Sequence, residues 1–501
     1  MGLQTDRSNA HPGRSVPGKG AFLPRLNMAR SVHALPKRTR CVLIGCLLLA
    51  ATAFAALYEW TGFEPAAAAA GGVVLIYLIL SLPKLAWTRL AFVAIGVALA
   101  IVAVATRPDW VAILSRGVVQ ANFICAFFVA LATLRIPAAH SPAIHRCGRY
   151  LASRPPGKRY LALTTGGHLF ALILNYGAIQ LLGTMVERMV AEETDPDVAA
   201  IRNRRMLVAI QRGFCASIFW SPLAFSMVIT TGIVPGASWA ATVPLAIFHM
   251  VVFTAIGWAH DTLIKPKLTG PRPQTRAAEG AFADLLPLVV LLLIIFGGVG
   301  LLEVLTGLRM AAIVMVFVPL VALAWLAIEA FGHGGAGVSD LQGRLGNLVM
   351  RDLPAYRSEL VLLIMAGFIG AVGGILAKPW IAAMGIDLSA VPIPLLLFAI
   401  MLFVPLAGQI GMNPILSVAL FAPLLPAPEQ LGIPAVLIVL AIVSGWALTG
   451  LTSPFTATTM LIAKMGHITP VRVGTSWNGT VFLVSVVVLT LSLVTLWAVL
   501  I

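Results

Sequence analysis

The sequence predicts an all-α polytopic membrane protein of about eleven transmembrane helices plus two re-entrant hairpins, laid out as an inverted repeat. Three observations carry that prediction. Apolar runs of roughly 18 to 25 residues recur from Cys41 to Ile501, each long enough to cross a ~30 Å hydrocarbon core as a helix. Basic residues fall in the loops between those runs, where topology determinants belong. Two further apolar stretches are interrupted near their middles by polar residues, Gly and Pro. Composition agrees: 59% of the 501 residues are hydrophobic and 11% charged, where a soluble domain carries about 25% charged residues, so lipid is the main solvent.

Residues 1–40 hold eight Lys or Arg against one Asp and are rich in Pro and Gly, which predicts a disordered cytoplasmic tail. A cleaved signal peptide is the alternative, but the apolar run after Arg40 is long for that role, and an uncleaved first helix is preferred. The spans are placed at 41–59, 67–83, 90–106, 117–134, 207–232, 240–260, 284–302, 310–331, 360–377, 435–463 and 478–501. The stretches 160–186 and 392–426 are read as hairpins, because counting either as one crossing would flip every later loop. With both re-entrant, 30 of 34 Lys and Arg lie inside, including Lys265, Lys267, Arg272 and Arg276, and only Arg107, Arg116, Arg309 and Lys378 lie outside. The chain then divides into a half at 41–260, a cytoplasmic linker at 261–283 and a half at 284–501. The N-terminus is expected in the cytoplasm and the C-terminus outside a cell (inner) membrane. The hairpins open from opposite sides, the layout of many secondary transporters.

Each half follows its hairpin with a span broken at Ser-Pro, at Ser221-Pro222 in the first and Ser453-Pro454 in the second. A mid-helix proline frees a carbonyl that a neighbour, water or an ion must satisfy. The hairpins offer Asn175 in Leu174-Asn175-Tyr176 and Asn413 in Met412-Asn413-Pro414; a gapless alternative sets Gly167-His168 opposite Gly408-Gln409. A buried asparagine amide and a freed carbonyl together can hold a small cation, and half-helix N-termini favour an anion. Candidate substrate and ion contacts are therefore Asn175, Ser221, Pro222, Asn413, Pro414, Thr452, Ser453, Pro454 and Thr456, with Na⁺ near Asn175 and Ser221 and near Asn413 and Ser453. The plain readings stand beside these: a helix-bridging asparagine, a kink, a back-bonded hydroxyl. His168 is a proton-relay candidate or a packing histidine. Stretches Val338–Arg351 and Ile144–Ser153 fit amphipathic interfacial helices.

The five cysteines show no metal-ligand spacing, no loop exceeds about 30 residues and no DxxD or HExxH motif occurs, so neither an enzyme nor a nucleic-acid binder is expected. The pattern resembles the ion transporter superfamily and, within it, the divalent anion/sodium symporter family, over roughly residues 67–501. That family carries Ser-Asn-Thr at each hairpin tip; here only the asparagines, Asn175 and Asn413, remain. The resemblance implies an elevator mechanism, a homodimer, a small carboxylate-type anion as substrate and coupling to Na⁺ or H⁺, with no resident cofactor. The alternatives are a proton-driven exporter or antiporter of the same superfamily, and a polytopic enzyme acting on lipid-linked substrates.

Overall fold

A computed structural model describes residues 37–264, 280–332, 337–385 and 387–500. The expected tail up to residue 36, and Lys265, Lys267, Arg272 and Arg276 of the linker, lie outside the described residues. Within them every regular element is helical. Ten helices are long and apolar enough to cross a membrane. The eleventh expected span, 207–232, is two pieces, Pro196–Ile218 and Phe225–Ile233, and its first piece begins eleven residues before the expected start. Asp195 caps that start by accepting from the amides of Asp197 and Val198, and Arg202, Arg204, Arg205 and Arg212 make the piece too polar to register as apolar. The span expected at 117–134 runs over Trp110–His140, because apolar periodicity marks the lipid-depth residues and misses the helical ends beyond them.

Both stretches read as hairpins are helix–turn–helix elements. The first is Pro156–Leu174 and Tyr176–Ala191, longer at each end than 160–186. The second is Ile393–Gln409 and Pro414–Phe421, within 392–426. The first arm of each hairpin lies along the first piece of the broken helix that follows it, and the second arm crosses to the second piece of the other broken helix. Each hairpin thereby touches both broken helices. Close approach is set by glycines: a Cβ on Gly213 would sit 2.1 Å from the Thr164 carbonyl oxygen, and one on Gly445 2.2 Å from that of Met401.

Trp239–Leu263 and Gly479–Leu500 complete this central group. Around it, Lys37–Thr61, Glu64–Ser81, Trp87–Thr106, Trp110–His140, Met310–Gly332 and Arg357–Ala383 pack on one another as a frame, with Leu286–Thr306 leaning on Met310–Gly332. Of two short helices, Pro142–Ala152 packs on both arms of the first hairpin and Gly337–Asn347 packs on Met310–Gly332. Pro142–Ala152 buries Ile144, Cys147, Gly148 and Leu151 and exposes Arg146 and Arg149, the one-sided spacing of an interfacial helix. Gly337–Asn347 is pinned by Arg344, which bonds Asp340 at 2.9 Å and Glu329 at 3.0 Å. The protein is a multi-pass membrane protein.

Candidate functional site at the two broken helices

The breaks are chemically alike. Pro222 and Pro454 each remove the amide hydrogen that would reach the carbonyl four residues earlier, on Ile218 and Gly450. In both, a hydroxyl eight residues beyond that carbonyl replaces it: Ser226 Oγ donates to the Ile218 oxygen at 2.7 Å, and Thr458 Oγ1 to the Gly450 oxygen at 2.6 Å. Ser221 Oγ accepts from the Leu223 amide at 3.2 Å, and Ser453 Oγ from the Phe455 amide at 3.3 Å. The freed carbonyls are thus satisfied by the chain itself, which is how an interrupted helix survives away from water.

The second break is the more heavily bonded. Ser453 Oγ also donates to the Gly408 carbonyl at 2.7 Å, tying the break to the second hairpin, and Gln409 Nε2 reaches Thr452 Oγ1 at 3.4 Å. Thr452 itself back-bonds to the Leu448 carbonyl, and Thr456 Oγ1 bonds the Ser453 carbonyl and the hydroxyls of Thr458 and Thr459, each at 3.0 Å. Both broken helices meet at Gly450, where an added Cβ would touch Cys215 Sγ at 3.2 Å.

Asn175 and Asn413 occupy equivalent places, each the residue preceding the second arm of its hairpin. Their states differ. Asn413 Oδ1 accepts from the Ile415 amide at 2.8 Å and its carbonyl takes Ser417, with Pro414 as the first helical residue, so the cap is complete. Asn175 is the whole turn of its hairpin, held at φ 52° and ψ −127°, and its Oδ1 is buried with no partner. Tyr176 beside it stacks on Phe214, 5.3 Å between centroids. His168 stacks on Trp220 at 5.8 Å, and its Nδ1 is likewise without a partner.

A second polar cluster, which no sequence motif marks, joins the broken helices from below the breaks. Gln211 is fully buried and its Nε2 donates to the carbonyls of Gly450 at 3.1 Å and Leu451 at 3.3 Å. Its Oε1 accepts from Asn478 Nδ2 at 2.9 Å, and Asn478 Oδ1 accepts from Arg212 Nε at 3.0 Å. Arg212, 3% exposed, also bonds the Tyr160 hydroxyl at 3.0 Å and the carbonyls of Gly257 and Trp477. All these partners are neutral, so the guanidinium is held by dipoles alone. The signal that the sequence does carry is a Gln-Arg pair inside an otherwise apolar run, where intramembrane polar residues merit attention by default.

Among the described residues no three His, Cys, Asp or Glu side chains gather into a metal site. Of the oxygens expected to face Na⁺, those of Ser221, Ser453 and Asn413 already cap backbone amides, and Asn175 Oδ1 has no such duty. What the arrangement supplies is two helix restarts, at Phe225 and Ala457, each beginning just after a break, and helix N-termini favour an anionic group.

No family model matches the sequence, and no curated protein matches it. Several solved structures resemble the fold, two of them as follows. MtrF of Neisseria gonorrhoeae, whose structure and function illuminate a class of antimetabolite efflux pumps, is 14% identical, with a TM-score of 0.52 over 80% of this chain and 94% of that one. The YdaH transporter of Alcanivorax borkumensis, of unusual topology, is 14% identical over 82% of this chain and 98% of that one, at a TM-score of 0.49. The chain therefore shares the polytopic all-α fold of MtrF.

Proposed function

We propose that the chain is a secondary active transporter that exports a small organic anion of carboxylate type in exchange for protons, by elevator movement of the central group past the frame. The single observation that carries this reading is the pair of self-satisfied Ser-Pro breaks, approached by two hairpins that exchange arms between the halves. Such discontinuous helices bind solutes at the repeat interface in many carriers. The capped carbonyls at Ile218 and Gly450 favour a proton over Na⁺ as coupling ion, because a bare ion needs unspent oxygens. Export over import is supported by the fold shared with MtrF, itself of an efflux class. A sodium-coupled uptake carrier of the divalent anion/sodium symporter family, working as a homodimer, is the second reading, favoured by Asn175 and its free Oδ1.

Purified protein in proteoliposomes, challenged with labelled succinate, citrate and benzoate, tests both. Accumulation driven by an imposed pH gradient in Na⁺-free buffer is expected. Accumulation that follows a Na⁺ gradient and ignores the pH gradient selects the second reading, and flux insensitive to either overturns both.

A further inference from the structure

The seam between the frame and the central group contains one carboxylate whose bonds cross it. Glu303, near the end of Leu286–Thr306 and 9% exposed, accepts from the amides of Trp239 and Ala240, each at 3.1 Å, one oxygen to each. These are the first two amides of Trp239–Leu263, and Ser238 Oγ takes the third at 3.1 Å, so the helix start is capped in part by its own chain and in part by another helix. The Trp239 indole in turn donates to the Trp220 carbonyl at 2.8 Å, inside the first break. Glu303 is thereby one residue away from the break that the transport reading puts at the centre of the mechanism. Beside it opens a cavity of about 260 Å³, with Thr231, Ser238 and Arg309 among its lining.

We propose that Glu303 is a proton-binding site that latches the two groups together: ionised, it holds Trp239–Leu263 against Leu286–Thr306, and protonated from the cavity it lets them part. The proposal deepens the proton-exchange reading and rests on it. An ionised carboxylate accepts both amide hydrogens as charge-assisted bonds; a proton on one oxygen leaves a hydroxyl that is a poorer acceptor, weakens both bonds and removes the charge that favours a helix N-terminus. A proton arriving from the cavity thus biases the equilibrium between joined and parted forms, and by linkage the parted form holds the proton more tightly. Other titratable groups lie on the elements packed against Leu286–Thr306: Asp284 just before its start, His145, Arg146, Cys147, Arg149 and Tyr150 of Pro142–Ala152, and Lys158, Arg159, Tyr160 and His168 of Pro156–Leu174, of which His168 stacks on Trp220; none of them is bonded to Glu303. Arg309 is committed to Glu59 at 2.5 Å, Phe225–Ile233 brings no titratable residue, and Glu329, the titratable residue of Met310–Gly332, lies at that helix's far end. Trp110–His140 brings Phe123 to the cavity, with Arg116 about two turns away. His249 on Trp239–Leu263 lies more than two turns further down and bonds Ser444 and Ser492.

The test uses the full chain in nanodiscs with Cys41 and Cys46 replaced by Ser and spin labels at Leu301 and Ile247, which are exposed on the two helices. Lowering the pH from about 8 to about 5 is expected to raise the long-distance population roughly tenfold, and a carboxylic-acid band in infrared difference spectra is expected to vanish in Glu303→Gln. Glu303→Gln is expected to stay parted at every pH. Glu303→Asp, a methylene too short to serve both amides, folds with the charge kept and is expected to part at every pH as well. A pH response that persists unchanged in either variant, or a wild-type distance that ignores pH, overturns the latch. If proton-driven flux in proteoliposomes survives that result, the transport reading stands without it; if flux ignores pH while the distance follows it, the latch stands and the coupling reading falls.

Discussion

The two halves share their breaks and differ in their hairpins. At each break a proline, a hydroxyl cap and a serine acceptor recur at the same spacing. The first hairpin turns on one residue, Asn175, and lays its second arm on Ala457–Met465, where a Cβ on Gly183 would sit 2.1 Å from Met465 Sδ. The second turns over four residues, Ile410 to Asn413, and seats its short second arm in a groove of frame helix Arg357–Ala383, where a Cβ on Gly370 would lie 2.2 Å from Ala419 Cβ. Both hairpins are thus held by the central group, and the second arm of the second hairpin packs on the frame as well. The breaks are constrained by an unpaired carbonyl that costs several kcal/mol in lipid, whereas a hairpin needs only a complementary surface, and different surfaces serve.

The comparison can be broken or sharpened by substitution. The largest effect is expected at the glycine seams that both halves share. Gly213→Leu and Gly445→Leu push a hairpin arm off its broken helix through backbone contacts and should abolish monodisperse elution in detergent, with the alanine variants costing about 3 kcal/mol in thermal unfolding. Gly72→Ala, with nothing within 4 Å, is the control expected to be neutral. A Gly445 variant of normal stability would show that the halves do not pack alike.

Next in size is Arg212, which has no counterpart in the second half. Arg212→Met takes the guanidinium donor from Asn478 Oδ1 and the Tyr160 hydroxyl and is expected to cost about 3 kcal/mol, read from the melting temperature. Arg212→Lys keeps the charge but loses the planar fork and should recover only part of that loss.

A smaller, more discriminating pair is Ser226→Ala against Thr458→Val. Ser226 is the donor that caps the Ile218 carbonyl, so its loss should cost about 2 kcal/mol. The Gly450 carbonyl keeps Gln211, so Thr458→Val should cost less than about 1 kcal/mol. Equal melting shifts would mean that the Gln211 bond contributes nothing. Smallest is Asn175→Gly, which removes a strained backbone and should stabilise by about 1 kcal/mol. Were the same variant to lose anion uptake while melting higher, Asn175 Oδ1 would be a ligand and not a turn residue.

Much of this architecture is legible in the amino-acid sequence. The spans, the two interruptions and the Ser-Pro pairs follow from local chemistry: apolar length, charge placement, and a residue type that always lacks a donor. Asn175 and Asn413 are legible as tip residues, but not their difference, since whether an asparagine caps its own helix depends on how many residues the turn contains. The helices run past their expected ends at Pro196, Pro156 and His140 because polar turns beyond the lipid depth leave no apolar signature.

The sequence by itself determined membrane residence, the apolar spans and the positions of the breaks, because each depends on residues within a few turns of one another. Tertiary structure alone decided which donors cap the freed carbonyls, that Arg212 reaches Asn478, and that Glu303 closes the start of a helix 64 residues away. Those contacts join segments far apart in the chain, and a polar side chain in lipid must find some partner without its neighbours in sequence saying which.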